Sequence, residues 1–437
     1  MVNGPRRIVI TGMGVVSPLG GAIEQVWDRL DQGVSGIVPM EMLPVDHLPT
    51  RVAGEARDFQ GEIGDFGPLE KTLSRQIKKS LRMMCREIYM GTAAAQLALS
   101  GTGFYELGHN PDRVGVVFGC DYLLTNPDEY RAGILKCLDE AGEFHFEQWA
   151  EQGMPKVEPL WLLKYLPNMP ASHIAIFNDL RGASNSLTLR EASSNAAIAE
   201  AVTTLQRGRA DIMLAGATGT RLHQLRTLHV LLQEQIAPGE DPPGESCRPF
   251  DLNRQGMVVG EGAGALVLET LESAQARGAE VFGEVLSSAS SAAVDAQGVA
   301  DYRTAIRNVL QKTIERAGLK PSDVGHVNAH GLGTSRCDQE EAQAIADVFG
   351  PQGVPVVAMK AFHGNLGAGS GVVEAIGSLL ALRHGKLFGI PSYRTPDPEC
   401  PVTVNQASGA DPGASFINVN VTPQGQAAAV LVRRFDG

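Results

Sequence analysis

The stretch "SLTLREASSNAAIAEA" (186–201) is where this sequence first places a reactive group in a position to do chemistry. It reads as a strand, Ser186 to Leu189, running into an alanine-rich helix. A sharp strand-to-helix turn lifts one side chain above a sheet edge, and many enzymes mount a nucleophile there. The residue at this turn is Glu191. The start of a helix offers free N–H groups and a positive dipole end, worth about 0.3–1 kcal/mol to an anion. On that account Glu191 is accommodated as an anion without further partners, and Glu191→Gln should leave folding intact or slightly improve it. A carboxylate is a much weaker nucleophile than a thiolate. As a general base it would need a pKa raised by burial.

Other candidate motifs carry no chemistry. "GMGVVSPLG" (12–20) loosely echoes a dinucleotide-binding loop, but Ser17 stands where the third glycine belongs and Pro18 disturbs the helix that must follow. No phosphate-cradling loop ending in Gly-Lys-Ser/Thr is present. His109, His145, His223 and His229 have no spaced acidic or histidine partner and read as surface or core histidines. The six cysteines (85, 120, 137, 247, 337 and 400) include no close pair, so neither a zinc site nor a disulfide framework is expected. A reducing, cytoplasmic setting fits that pattern.

The elements that must position Glu191 alternate along the chain. Strand-like runs at 7–14, 113–119, 210–217, 264–269, 324–331, 354–360 and 427–435 are bounded by glycine and separated by helical segments. Continuous apolar strands of this kind belong to α/β layers covered on both faces. The helices at 90–99, 195–205 and 371–382 are apolar nearly all round, which places them between two sheets. Strand–turn–buried-helix units at 186–205 and 354–382 hint at a duplication. Residues 120–166 break the rhythm and read as an insertion; 233–256 is a long Pro/Gly-rich loop. The apolar stretch at the start is cut by Gly12, Gly14 and Pro18 and reads as a buried strand rather than a signal peptide. No apolar run approaches the ~20 residues of a membrane span. The net charge is −12, so a nucleic-acid partner is not expected. Lys71, Arg75, Lys78, Lys79 and Arg82 form one local basic cluster, either a solvated helix face or a patch for an acidic partner.

Several blocks together resemble the β-ketoacyl-acyl-carrier-protein synthases, elongating ketosynthases of the thiolase superfamily. "RIVITGMGVVSPLG" (7–20) is similar to their first strand and turn. "CRPFDLNRQGMVVGEGAGALVLE" (247–269) resembles their Arg-Pro-Phe-Asp and Gly-Glu-Gly-Ala-Gly block. "VNAHGLGTSRCDQEEAQAI" (327–345) resembles their His-Gly-Thr segment, and "KAFHGNLGAGSGVVEAIGSLLAL" (360–382) their Lys…Gly-His segment. The resemblance implies an α/β, thiolase-like five-layered α-β-α-β-α fold of two similar halves, here 1–275, carrying the insertion at about 120–166, and 276–437. It also implies a dimer and cytoplasmic fatty acid or polyketide biosynthesis. The substrates would ride on the phosphopantetheine of an acyl carrier protein, with no other cofactor, no metal and no membrane.

Carried over position by position, the resemblance puts Glu191 at the nucleophilic cysteine and His330 at the first catalytic histidine. It puts Asn365 at the second histidine, with Lys360 and Glu374 at the family lysine and glutamate. His363, two residues before Asn365, should point elsewhere. Of two pantetheine-binding threonines, Leu332 replaces the first and Thr334 remains; Val421 replaces the gating phenylalanine in "NVNVTPQGQA" (418–427), which stands where the family has a glycine-rich loop. Without a thiolate and without that loop, two large contributions to condensation are missing. The implied function is a non-condensing, chain-length-factor-like partner of a Cys-bearing ketosynthase, paired as a heterodimer, or else a homodimer. The alternative is a malonyl-carrier-protein decarboxylase or other acyltransferase using Glu191 with His330 and Asn365.

Overall fold

The structure is a computed structural model and describes residues 6–435, apart from Leu107 and Gln352; the outermost residues of both expected halves lie outside the described residues. The main sheet contains β1 (Ile8–Val16), β2 (Val114–Cys120), β3 (Ser184–Leu187), β4 (Ile212–Thr220), β5 (Glu261–Thr270), β6 (Gly283–Ala292), β7 (His326–Asn328), β8 (Pro355–Val357), β9 (Thr403–Val404), β10 (Ser415–Val421) and β11 (Gln426–Arg433). Their spatial order is β9-β8-β7-β10-β11-β6-β1-β5-β4-β2-β3.

The pairings reveal two copies of one pattern. In the first half β3, β2 and β4 run parallel, and β5 and β1 follow antiparallel. In the second half β8, β7 and β10 run parallel, and β11 and β6 follow antiparallel. Within the main sheet the copies join where Ile8–Ile10 of β1 pair with 283–285 of β6.

Six helices complete the layers: α1 (Arg86–Ser100), α2 (Met169–Asn178), α3 (Ser193–Gln206), α4 (Tyr302–Ala317), α5 (Ser335–Phe349) and α6 (Ser370–His384). Helix α3 packs on β2 and β4 of the first half and on β6 and β11 of the second, and α6 touches β5 and β10. These two helices are the middle layer. Helices α1 and α2 cover the outer face of the first half; α4, backed by α5, covers the second. The small residues follow from this arrangement. Every residue of α6 from Ser370 to Leu382 is buried, so no face is left for long polar side chains. Gly371 is needed where α6 meets α3, because a Cβ there would lie 2.8 Å from that of Ser194 and 2.3 Å from Asn420 Oδ1.

Residues 121–166 contain a helix, Asp128–Lys136, short helical turns and no strand of the main sheet. Three strands of the main sheet escaped the sequence reading: β6, which is serine-rich, the two-residue β9, and β10. The "NVNVTPQGQA" stretch is not an extended loop. It is a β-hairpin in which Val421 pairs with Ala427 and a turn spans the residues between. Asn418 and Asn420 within it are fully buried, so their polarity disguised a central strand.

Candidate active site

Strand β3 ends at Leu187, and a single 3₁₀ turn, Arg190–Ala192, leads into α3. The turn is tight enough to force Arg190 to φ 48°. A left-handed non-glycine residue costs of order 1–3 kcal/mol and persists only where surrounding contacts impose it. Ser193 Oγ accepts the Leu189 N–H at 2.9 Å across the turn. The Glu191 side chain that results is 1% exposed.

Glu191 is not held by the helix terminus alone, contrary to the expectation from sequence. Arg221, whose side chain has no exposed surface, donates from Nη2 to Glu191 Oε1. Asn365 Nδ2 donates to the same oxygen at 3.1 Å. Arg190 Nε lies 3.6 Å from Oε2. Burial opposes ionisation here, yet Arg221 first and then Arg190 hold the carboxyl well below the ordinary range. Unpaired, a buried charge of this kind would cost several kcal/mol. The arginines and the Asn365 amide around it favour the ionised carboxylate.

His330 follows β7 on a loop braced by carboxylates. Glu341 Oε1 accepts the His330 N–H at 2.7 Å and Oε2 that of Gly331 at 2.8 Å. Asp338 Oδ1 accepts the N–H groups of Leu332 and Gly333, each at 3.0 Å. Lys360 Nζ donates to the His330 carbonyl at 2.8 Å and to Glu374 Oε1 at 2.6 Å. Glu374 Oε2 accepts from Asn420 at 2.7 Å, and Asn420 Oδ1 accepts from Asn195 of α3 at 2.9 Å. Burial first, then the Lys360 charge, keeps the His330 imidazole neutral.

Glu191 and His330 face one space, lined also by Glu234, Tyr302, Leu332 and Val421. It measures only about 10 Å³, the room of a single water. Thr334 and Asn365 do not line it: Thr334 caps α5, and the Asn365 amide is turned onto Glu191. His363 is fully buried with Nδ1 on the Gly364 carbonyl at 2.7 Å and does not face the space. Among the described residues, no group of three or more His, Cys, Asp or Glu is placed to hold a metal ion.

Arg221, Arg190, Asp121 and Glu234 had gone unnoticed in the sequence. One signal was available. Asp121 directly follows β2, Arg221 directly follows β4, and Glu191 follows β3. These three strands are parallel neighbours, so their carboxyl ends meet, and functional groups gather at such ends.

Paired copies of one strand pattern around two buried helices, with the reactive turn opening the first of those helices, define a thiolase-like protein. The chain belongs to the β-ketoacyl synthase family: the family's N-terminal domain matches residues 5–274 and its C-terminal domain residues 282–393. A 3-oxoacyl-[acyl-carrier-protein] synthase 2 of Staphylococcus aureus is 29% identical over 430 residues, 98% of each chain. The enzyme of the same name from Synechocystis is 29% identical over 401 residues, 90% of each. Among solved structures, a β-ketoacyl synthase from Burkholderia phymatum superposes with a TM-score of 0.84 at 26% identity, over 98% of this chain and all of that one. The ishigamide ketosynthase/chain length factor gives 0.81 at 25%, over 99% and 100%. A type II polyketide ketosynthase, in complex with its acyl-carrier protein and bound to the hexaketide, gives 0.83 at 22%, over 99% and 100%, and shares the fold.

Proposed function

We propose that this chain is a non-condensing β-ketoacyl synthase homologue that pairs with a Cys-bearing ketosynthase and shapes its acyl-binding space. The observation that carries the reading is the commitment of Glu191. Its carboxylate stands where the resemblance puts the family's nucleophile, is held ionised, and is shared between Arg221 and Asn365. A carboxylate engaged in that way is a weaker nucleophile still, and any acyl anhydride it formed would hydrolyse. The space against it has the room of a single water.

The decarboxylase alternative needs His330 and Asn365 to present two donors to one carbonyl. The Asn365 amide is spent on Glu191 and lies outside the shared space, which favours the non-condensing reading.

Two surfaces suit the proposed partners. Residues 134–162 expose Leu135, Phe144, Phe146, Leu160 and Leu162, a concentration of large apolar side chains that fits a subunit interface. Lys71, Arg75, Lys78, Lys79 and Arg82 are all exposed on a helix and its following turn. On a chain of net charge −12 this basic patch fits an acidic partner, which we take to be the acyl carrier protein. Purification of the tagged chain from its native host tests the pairing. A Cys-bearing ketosynthase should co-elute in equimolar amount. A stable monomer, or turnover of malonyl thioester by the chain alone, would count against it.

A further inference from the structure

We propose that a cavity at the far end of the first-half sheet, lined by His109, Asn110 and Arg113, binds a small anion carrying a carboxylate or phosphate group. The cavity lies where β2 and β4 begin, at Val114 and Ile212, whereas Glu191, Asp121 and Arg221 follow the opposite ends of β3, β2 and β4. The seven residues of β2 put roughly 20 Å between the two places. The proposal therefore stands independently of how the Glu191 turn is read.

The cavity measures about 330 Å³, the size of a small-molecule site rather than of a trapped water. Its acceptors are already engaged. Asp211 accepts from Nε and Nη2 of Arg113 at 3.0 and 2.6 Å. Arg277, also on the wall, donates to Glu269, which has no exposed side-chain surface and accepts from Thr11 and Ser273 as well. The donors are not engaged in the same way. Arg113 Nη1 and Asn110 Nδ2 have no partner among the described residues. His109 makes no hydrogen bond among them either: its ring lies over Phe104, centroids 4.1 Å apart, and its Nδ1 is buried without a partner.

The charges point the same way. Arg6, Arg113 and Arg277 stand against Asp211 and Glu269, which leaves one positive charge in excess. Arg113 first, and Arg6 behind it, hold the Asp211 carboxyl below its ordinary range, so it stays ionised and committed to arginine. A cation entering the cavity would find no free carboxylate. An anion would find a guanidinium edge, an amide and an imidazole, all from the short stretch 109–113. Arginine donors of this kind hold carboxylate and phosphate oxygens by charge-assisted hydrogen bonds. Val114 and Ile212 line the same cavity and offer an apolar wall to the rest of an organic ligand.

Equilibrium dialysis of the purified full-length chain, at fixed ionic strength, against labelled inorganic phosphate and against labelled hexanoate tests this. At least one of the two should bind saturably, one per chain. Tighter binding of hexanoate would assign part of the recognition to the apolar wall, and tighter binding of phosphate would assign it to the charged stretch alone; either supports the site. R113Q/H109Q should weaken that binding at least tenfold with the melting temperature unchanged, because the Arg113–Asp211 pair is exposed and such pairs contribute little to stability. No saturable binding of either anion, or equal affinity in wild type and variant, would overturn the proposal. Should the double variant fail to fold, H109Q and R113K are made singly: each should weaken binding at least threefold, and unchanged affinity in both would overturn it.

Discussion

Arg221, with no exposed side-chain surface, donates to the carboxylate of Glu191, itself 1% exposed. The two residues arrive from different strands, and neither alone is tolerable in that interior. Arg221 retains Asp121 at 3.5 Å if Glu191 is neutralised, but its close partner is gone. Glu191→Gln should therefore destabilise the protein by about 3 kcal/mol, the lower end of what breaking a buried pair costs. E191Q/R221Q should lose less. Urea unfolding of both variants checks this, and a neutral or stabilising E191Q would return the site to the helix-terminus account that the sequence suggested.

A second pair, Lys360 and Glu374, ties the His330 loop to the middle layer. Lys360→Met leaves a fully buried glutamate whose one remaining donor is Asn420, and it removes the donor to the His330 carbonyl. We expect a loss of about 3–5 kcal/mol. K360M/E374L should recover part of it, because no charge is then stranded. Melting temperatures that rank the double variant below the single one would contradict this.

The pH dependence has a definite sign. Burial, with the Glu191 charge adding to it, pushes the Glu234 carboxyl up to about 7 from an ordinary value of 4.5. Such a group keeps a proton in the folded state that the unfolded chain has released, so stability falls as pH rises from about 4.5 to about 7. Asp338, pushed up to about 6, and Glu341, up to about 8, act in the same direction, burial being the main cause in each. Glu191 acts oppositely: its stabilising share is present above its unfolded value and is lost only in acid, as pH falls through its depressed folded value. Glu234→Gln should flatten the decline between pH 4.5 and 7 by at most about 1.4 kcal/mol per pH unit. Denaturant midpoints across that window measure it, and an unchanged slope would be inconsistent with a protonated Glu234.

Lys78 and Lys79 make no ion pair among the described residues, so reversing them should not disturb the fold. K78E/K79E should weaken binding of acyl carrier protein about tenfold and reduce its salt dependence, with the melting temperature unchanged. Equal affinity for wild type and variant would leave the patch as a solvated helix face.

Much of the fold was legible because its strands are buried on both faces and so appear as unbroken apolar runs; β1, β2, β4, β5 and β11 are of that kind. Strands β6 and β10 were not, since serines and asparagines fill their buried positions and hydrogen-bond inside: Ser287 Oγ reaches the Thr313 carbonyl at 2.6 Å, and Asn418 Nδ2 the Gly371 carbonyl at 2.8 Å. Within the site, Glu191, His330, Lys360, Asn365 and Glu374 stand in recognisable local motifs. Arg221 lies 30 positions after Glu191 and Asp121 70 positions before it, on strands whose adjacency only the topology supplies. A lone arginine after an apolar strand looks like a surface residue until the neighbouring strand ends are known.

The central claim is that the wild-type chain does not perform acyl transfer at Glu191. Purified protein is incubated with acyl- and with malonyl-carrier protein, its intact mass is followed, and release of labelled CO₂ is measured in parallel. We expect no adduct and no CO₂ above the rate of the carrier protein alone. A stable acyl group on Glu191, or CO₂ release that Glu191→Gln abolishes, would contradict it.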